Sequence, residues 1–515
     1  MRRILILLVL VLTVTPFVTT RPAAAQEVGA WLKSATMYSV FVRSFRDSNG
    51  DGIGDLQGVI DGLDYIQSLG VDTIWLLPVF KAKSYHGYDT IDYYTVQPEY
   101  GTNDDLIRLV KEVHARKMHI LLDYVINHAS IEHPFFKDAL GNPNSPYSEY
   151  FEWTNDAHTE FRSFANLGSM ATWNFDSPKV QQMALDIALY WLDPNKDGDF
   201  SDGIDGWRCD VALDVPHSYW RELRKQMNTL NPNDILLGEL FTQDAQEMRR
   251  FLMGNEMNAA FDFPAAFVLS GNFETNGDGL LNGKGDTGIL GTLMRAQKNL
   301  YCPDCVVVRF INNHDTNRVA SDVKGDPARL RMAAVWLMTA PGVPIIYYGE
   351  EIGMKGSKGI GPIYDEFRRE PLDWYASEEG KGMTSWFKPA GRFNQPNDGV
   401  SVEEEDGQLD SLLTLYRQLG ELRGLDAFNL GSNDMPKMPM PLFMSRHWND
   451  KELYIALINF TTEPQTFAFD PSLLVPDKQS FNVATAEVAL SQGLSEDDTN
   501  RTLAPAGYVV YRIKP

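Results

Sequence analysis

The sequence predicts an α/β protein: a (β/α)8 TIM barrel, interrupted by a small excursion domain after strand 3 and followed by a C-terminal antiparallel β-sandwich domain. Eight short apolar runs alternate with amphipathic stretches, the alternation expected of parallel strands joined by helices. After the third run about fifty residues rich in Pro, Asn, Ser and aromatics intervene, far more than an ordinary strand-to-helix loop needs. Past residue 424 the pattern changes to short alternating strands.

Residues 1–25 combine Arg2 and Arg3 with an apolar run from Ile4 to Leu12, which continues weakly to Val18, and then Ala23-Ala24-Ala25 in an A-x-A cleavage pattern. This reads as a secretory signal peptide with a mature chain starting near Gln26, and so as an exported protein, extracellular or periplasmic. The clean run falls short of the roughly 18 to 20 residues a membrane span requires, so no anchor is expected in the mature chain. The barrel is expected over 31–127 and 177–424, with strands at "TMYSVFV" (36–42), "TIWLLPV" (73–79), "HILLDYV" (119–125), "GWRCDV" (206–211), "DILLGEL" (234–240), "AAFDF" (259–263), "VVVRFIN" (306–312) and "VPIIYYG" (343–349). Among the helices, "NDDLIRLVKEVHARK" (103–117) repeats Leu106, Leu109, Val110 and Val113 at helical spacing behind Asn103, the expected N-cap. The excursion is expected over 128–176, before a helix starting near Pro178. Beyond the helical stretch 409–424, "LYIALINF", "QTFAFD" and "YVVYRI" mark a C-terminal β domain over 425–515.

Composition narrows the partners. A formal charge of −23 on 515 residues argues against nucleic acid, whose phosphates are bound by clustered Lys and Arg, while 11 Trp, 21 Tyr and 27 Phe supply flat surface for a neutral ligand. Of the three cysteines, Cys302 and Cys305 stand in "YCPDC" and Cys209 in the fourth strand. A zinc site wants about four ligands and no second pair exists, so the CxxC reads as a local disulfide or two structural thiols.

The chemistry is at the strand ends. In a (β/α)8 barrel, polar residues that cap different strands at their C-terminal ends converge on one cavity. The third run ends in Asp123, the fourth in Arg208 and Asp210, the fifth in Glu239 and the seventh in His314 and Asp315. In an extended "GWRCDV", Trp207, Cys209 and Val211 share one face, and Arg208 and Asp210 the other. One such carboxylate would more often be a cap or half of a buried ion pair; several, with an Arg and a His, fit catalysis better.

"DYVINH" (123–128), "GWRCDVALD" (206–214), "GEL" (238–240) and "NNHD" (312–315) resemble, in order and spacing, the four signature regions of the α-amylase superfamily, glycoside hydrolase family 13. "GDGIGDLQGV", "SYHGYDTIDYYTVQPEYGT" and "PGVPIIYYGEE" extend the resemblance over essentially the whole mature chain. It implies Asp210 as nucleophile, Glu239 as general acid/base and Asp315 as a third carboxylate that holds and distorts the sugar. It also implies Arg208 as the cation keeping Asp210 ionised, steadied by Asp123. His128 and His314 would be donors to sugar hydroxyls, and Tyr88 the aromatic platform at the cleavage point.

"DSNGDGIGD" sets Asp47, Asn49, Asp51, the carbonyl of Ile53 and Asp55 at positions 1, 3, 5, 7 and 9 of an EF-hand-like loop, with Gly52 at the sixth. The twelfth position is Gly58, so the usual Glu is missing, but similar loops in the superfamily favour a structural Ca2+ here. "DPNKDGD" (193–199) repeats the opening of this pattern and then diverges; it reads equally as a second site or a solvated acidic turn.

Departures locate the chain within the superfamily. Many α-amylases carry Lys-His shortly after the nucleophile, where this chain has Leu213-Asp214, and Thr172 in "MATWNF" replaces a carboxylate, which argues against an inter-domain calcium site despite Asn127. "DGWRCDVALDVPHSYWRELR" is closer to the cyclomaltodextrinase and neopullulanase branch, but those enzymes' additional N-terminal β domain is absent, so a monomer is expected. The expected activity is retaining hydrolysis of α-1,4-glucosidic bonds in starch-type glucans, maltooligosaccharides, cyclodextrins or pullulan. The alternatives are a transglycosylase or sucrose- or trehalose-directed member and, from another class, a catalytically inactive sugar-binding protein on the same fold.

Overall fold

The computed structural model describes residues 29–271, 278–361, 363–497 and 500–515, so the signal-peptide reading lies outside the described residues. Eight strands close a barrel: β1 (Met37–Val40), β2 (Thr73–Leu76), β3 (His119–Tyr124), β4 (Gly206–Cys209), β5 (Ile235–Gly238), β6 (Ala259–Phe261), β7 (Val306–Arg309) and β8 (Val343–Tyr347). Each pairs in parallel with its sequence neighbours, and β8 returns to β1. All eight expected runs form strands, including the short sixth. Each strand is shorter at its C-terminal end than the apolar run.

The register fixes which side chains meet. Asp123 of β3 lies opposite Arg208 of β4, and Cys209 lies opposite Gly238 of β5, so Asp210 and Glu239 are the next residues beyond a matched pair. Alternation splits the fourth strand as expected through Cys209. Trp207 and Cys209 are fully buried, and the Trp207 indole donates to the Ala188 carbonyl on the helix Pro178–Tyr190, 3.1 Å away. Arg208 points the other way, into the barrel. Val211 does not continue the pattern: its φ is +45°, a left-handed conformation that costs a β-branched residue on the order of 1–3 kcal/mol. This turn ends the strand and aims the Val211 N–H at Glu239.

One helix boundary also differs from expectation. The helix Asn103–Ala115 is capped by Thr102, not Asn103: Thr102 and Asp105 exchange side-chain-to-backbone hydrogen bonds in a capping box. Asn103 is freed to tie the helix start to the preceding strand, accepting from the Val96 N–H at 2.9 Å and donating to the Tyr94 carbonyl at 2.7 Å.

Two insertions roof the C-terminal end of the barrel. The antiparallel pair Phe80–Ala82 and Thr90–Val96 follows β2 and holds Tyr85, His86 and Tyr88 between its strands. The excursion after β3 pairs His128–Ser130 with Met170–Thr172 and packs around Phe136, Phe151, Trp153, Phe161 and Trp173. The C-terminal domain joins β9 (Ser432–Asp434), β10 (Phe443–Trp448), β11 (Leu453–Ile458), β12 (Gln465–Ala468), β13 (Glu487–Glu496) and β14 (Asn500–Ile513) in one antiparallel sheet, in which the long β14 pairs with β11, β12 and β13. Cys302 and Cys305 form a disulfide in the loop entering β7, at the opposite end of the barrel from the roof, and Cys209 is a buried free thiol.

Candidate active site

Arg208 is the hub. Its Nη1 lies 2.8 Å from Asp123 Oδ1 and 2.6 Å from Asp210 Oδ1, and its Nη2 lies 3.0 Å from Glu239 Oε1. Its guanidinium also sits 5.0 Å from the centre of the Trp75 ring. Three carboxylates share one buried guanidinium, and burial, reinforced by neighbouring carboxylates and opposed by Arg208, raises all three. Burial pushes Glu239 up to about 7; Arg208 opposes the rise, and Asp210 and Asp315 reinforce it. Burial raises Asp210 as well, but Arg208 pulls it back through both its charge and a hydrogen bond. Asp210 Oδ2 is buried with no hydrogen-bond partner, an oxygen left free on the nucleophile candidate. Glu239 Oε2 accepts the Val211 N–H at 2.9 Å.

A fourth carboxylate, Asp315, completes the group. Asp315 Oδ2 is 3.0 Å from His314 Nε2, and its Oδ1 is 3.0 Å from Arg369 Nη2. Although the site is desolvated, His314 and Arg369 hold Asp315 well below the usual carboxylate range. Its side chain is still 39% exposed, so solvent reaches it. Tyr88 closes the ring: its hydroxyl lies 2.6 Å from His314 Nε2 and 3.2 Å from Asp123 Oδ2, and its ring stacks on His314 with centroids 5.5 Å apart. His128 sits beside this group, with Nε2 3.1 Å from the Tyr88 carbonyl and its ring stacked on Phe164. Burial lowers His128 to about 4, so it is a neutral hydrogen-bonding group at physiological pH.

The structure therefore gathers Asp210, Glu239, Asp315, Arg208, His314, Tyr88 and His128 at the C-terminal rim, together with Asp123. Sequence reasoning missed Arg369 and Tyr85. Arg369 Nε also donates to the His314 carbonyl at 3.2 Å, and its Nη1 donates to the Tyr85 hydroxyl at 3.3 Å. Arg369 belongs to the long segment after β8, outside every strand, and the pair "RR" in a Gly-rich stretch carries no positional signal.

The 391-residue span 39–429 matches the family model described as "Alpha amylase, catalytic domain". The chain belongs to the α-amylase family, glycoside hydrolase family 13. Among its relatives, Alpha-amylase 3 of Dictyoglomus thermophilum is 34% identical over 415 residues, 76% of this chain and 77% of that protein. Cyclomaltodextrinase of a Bacillus species is 30% identical over 410 residues, 74% of this chain and 68% of that one. Neopullulanase 2 of Thermoactinomyces vulgaris, also 30% identical, is matched over 62% of its own length and 70% of this chain. The branch suggested by residues 206–216 is thus among the relatives. The crystal structure of the α-amylase from H. orenii superposes with a TM-score of 0.77 at 29% identity, covering 94% of this chain and all of that one. The protein is a glycoside hydrolase of this family with a carbohydrate substrate, and no helix among the described residues is long and apolar enough to cross a membrane.

The Asp47–Asp55 loop stands apart from this rim. Asp47 is buried and accepts from the N–H groups of Asn49, Gly50 and Gly52, while Asn49 and Asp51 accept from Asp51 and Ile53. Gly52 takes φ +92°, the conformation the sharp turn demands. Among the described residues no three His, Cys, Asp or Glu side chains are grouped as a metal site. The loop nevertheless offers only hard oxygen donors, the set suited to Ca2+.

Proposed function

We propose that this enzyme is an exported, monomeric, retaining hydrolase of α-1,4-glucosidic bonds in starch-type glucans, maltooligosaccharides, cyclodextrins or pullulan. The observation that carries the reading is the single guanidinium shared by Asp210 and Glu239, with Glu239 raised to about 7 and the burial-driven rise of Asp210 opposed by the charge and hydrogen bond of Arg208. Two carboxyl groups held side by side on one buried cation, one of them raised to about 7 and able to give up a proton, are the arrangement that glycosidic cleavage requires. Asp210 Oδ2 attacks the anomeric carbon while Glu239 gives its proton to the leaving oxygen, forming a glycosyl-enzyme ester. Glu239, now ionised, then takes a proton from water, which attacks the same carbon and releases Asp210. Asp315 and His314 hold the ring hydroxyls, and Tyr88 presents its ring to the sugar.

Asp47, Asn49, Asp51, the Ile53 carbonyl and Asp55 would hold a Ca2+ whose contribution is structural, fixing the segment that joins β1 to the helix Leu56–Ser68. The test of the reaction is a product time course with maltotriose, starch, pullulan and cyclodextrin. Shorter products with retained α-configuration are expected, and Asp210→Asn should abolish them. Chain-lengthened products as the main outcome would move the enzyme to the transglycosylases, and inverted configuration would remove Asp210 as nucleophile.

A further inference from the structure

Residues 193–199 fold like the Asp47 loop. Gly198 N–H donates to Asp193 Oδ2 at 3.1 Å, as Gly52 does to Asp47 Oδ2 at 2.8 Å. Asp197 N–H donates to Asn195 Oδ1, as Asp51 does to Asn49, both at 2.9 Å. Asp199 N–H donates to Asp197 Oδ1 at 2.7 Å, as Ile53 does to Asp51 at 2.8 Å. Gly198 takes φ +79° at the equivalent sixth position. This likeness alone could be an acidic turn.

Asp202 adds an observation of a different kind. It is only 8% exposed and points back into the loop, its Oδ2 accepting from Asn195 Nδ2 at 2.8 Å, while its Oδ1 is buried with no partner. The same amide nitrogen lies 3.0 Å from Asp197 Oδ2, so a weak partial positive charge stands between two carboxylates. Asp193 is buried as well, and the cation that acts on Asp202 is Lys111 of the helix Asn103–Ala115. A buried carboxylate beside two others, with one oxygen unpaired, is costly unless a cation takes that oxygen.

We propose that residues 193–202 form a second Ca2+ site, built from Asp193, Asn195, Asp197, the Asp199 carbonyl and Asp202. The ion displaces the Asn195 amide nitrogen and gathers the carboxylates, which in this conformation do not surround one point. Asp202 replaces the missing twelfth-position Glu of an EF-hand loop. Four residues later β4 begins, carrying Arg208 toward the catalytic rim, so the ion would anchor the base of that strand.

The test uses the whole mature chain, stripped with EDTA, titrated with Ca2+ and counted by atomic emission after gel filtration. The parent should bind about two ions, and Asp51→Asn and Asp197→Asn about one each. Asp202→Asn should also lose one ion; should it fail to fold, the exposed Asp197 position carries the test. The thermal midpoint of the parent should rise with Ca2+ more than that of either Asp197→Asn or Asp202→Asn. A parent that binds one ion, lost in Asp51→Asn and kept in Asp197→Asn, would overturn the second site. One ion lost only in Asp197→Asn would uphold it and refute the first loop. Binding unchanged in both Asp197→Asn and Asp202→Asn would also overturn it.

Discussion

Glu239→Gln is expected to inactivate the enzyme and, above neutral pH, to stabilise it. Glu239 is 7% exposed and shares its guanidinium with two other carboxylates, and burial lifts it from 4.5 to about 7. A rise of that size is roughly 3 kcal/mol of disfavoured ionisation. An acid raised in the folded state binds its proton more tightly there than in the unfolded chain, so the parent loses stability as pH climbs from about 4.5 through about 7. Gln cannot ionise and keeps the shape, so it escapes this loss. Below pH 4.5 the two proteins should melt alike; above pH 7 the variant should gain up to roughly 3 kcal/mol, less whatever hydrogen bond Arg208 loses. The assay is the difference in thermal midpoint between variant and parent, measured from pH 4 to pH 9 in one buffer series. A difference that stays flat, or a parent that becomes the more stable protein at alkaline pH, would show that Arg208 keeps Glu239 ionised and would refute the acid assignment.

Other outcomes follow from the same contacts. The kcat/KM of the parent should fall as pH rises through about 7, where Glu239 gives up its proton, as a pH–rate profile on maltotriose would record. Arg208→Lys offers one ammonium to three carboxylates and should cost on the order of 3 kcal/mol in denaturant unfolding, together with at least a hundredfold in kcat. Arg369→Met removes a cation that holds Asp315 low, so Asp315 should titrate at higher pH and the acidic limb of the kcat/KM profile should move up. Reducing Cys302–Cys305, with thiols counted to confirm it, should leave kcat/KM unchanged and cost at most about 2 kcal/mol of stability, since the bridge closes a very short loop.

Particular residues show where sequence reading reaches and where it stops. Asp123, Arg208, Asp210, Glu239, His314 and Asp315 were legible because each ends an apolar run, and barrel topology sends all such ends to one rim. Thr102 and Asn103 are both good caps by residue type; the reciprocal bond from Asp105 and the pull of the Tyr94–Val96 strand decide between them. Val211 follows the alternation on paper, and only the closing of β4 turns it left-handed. "YCPDC" allows a disulfide or two thiols, and only the folded backbone brings the sulfurs together.

By itself, the sequence determined the closed eight-strand barrel, the excursion after the third strand, the C-terminal antiparallel domain and the carboxylates at the strand ends. Periodicity and position relative to strand ends are local properties, written in the order of residues. Tertiary structure alone decided that one guanidinium holds three carboxylates, that burial raises all three, Glu239 to about 7, and that Arg369 reaches Asp315 from 54 residues away. Charge, burial and distance set a proton's affinity, and those quantities exist only once separate segments occupy the same few ångströms.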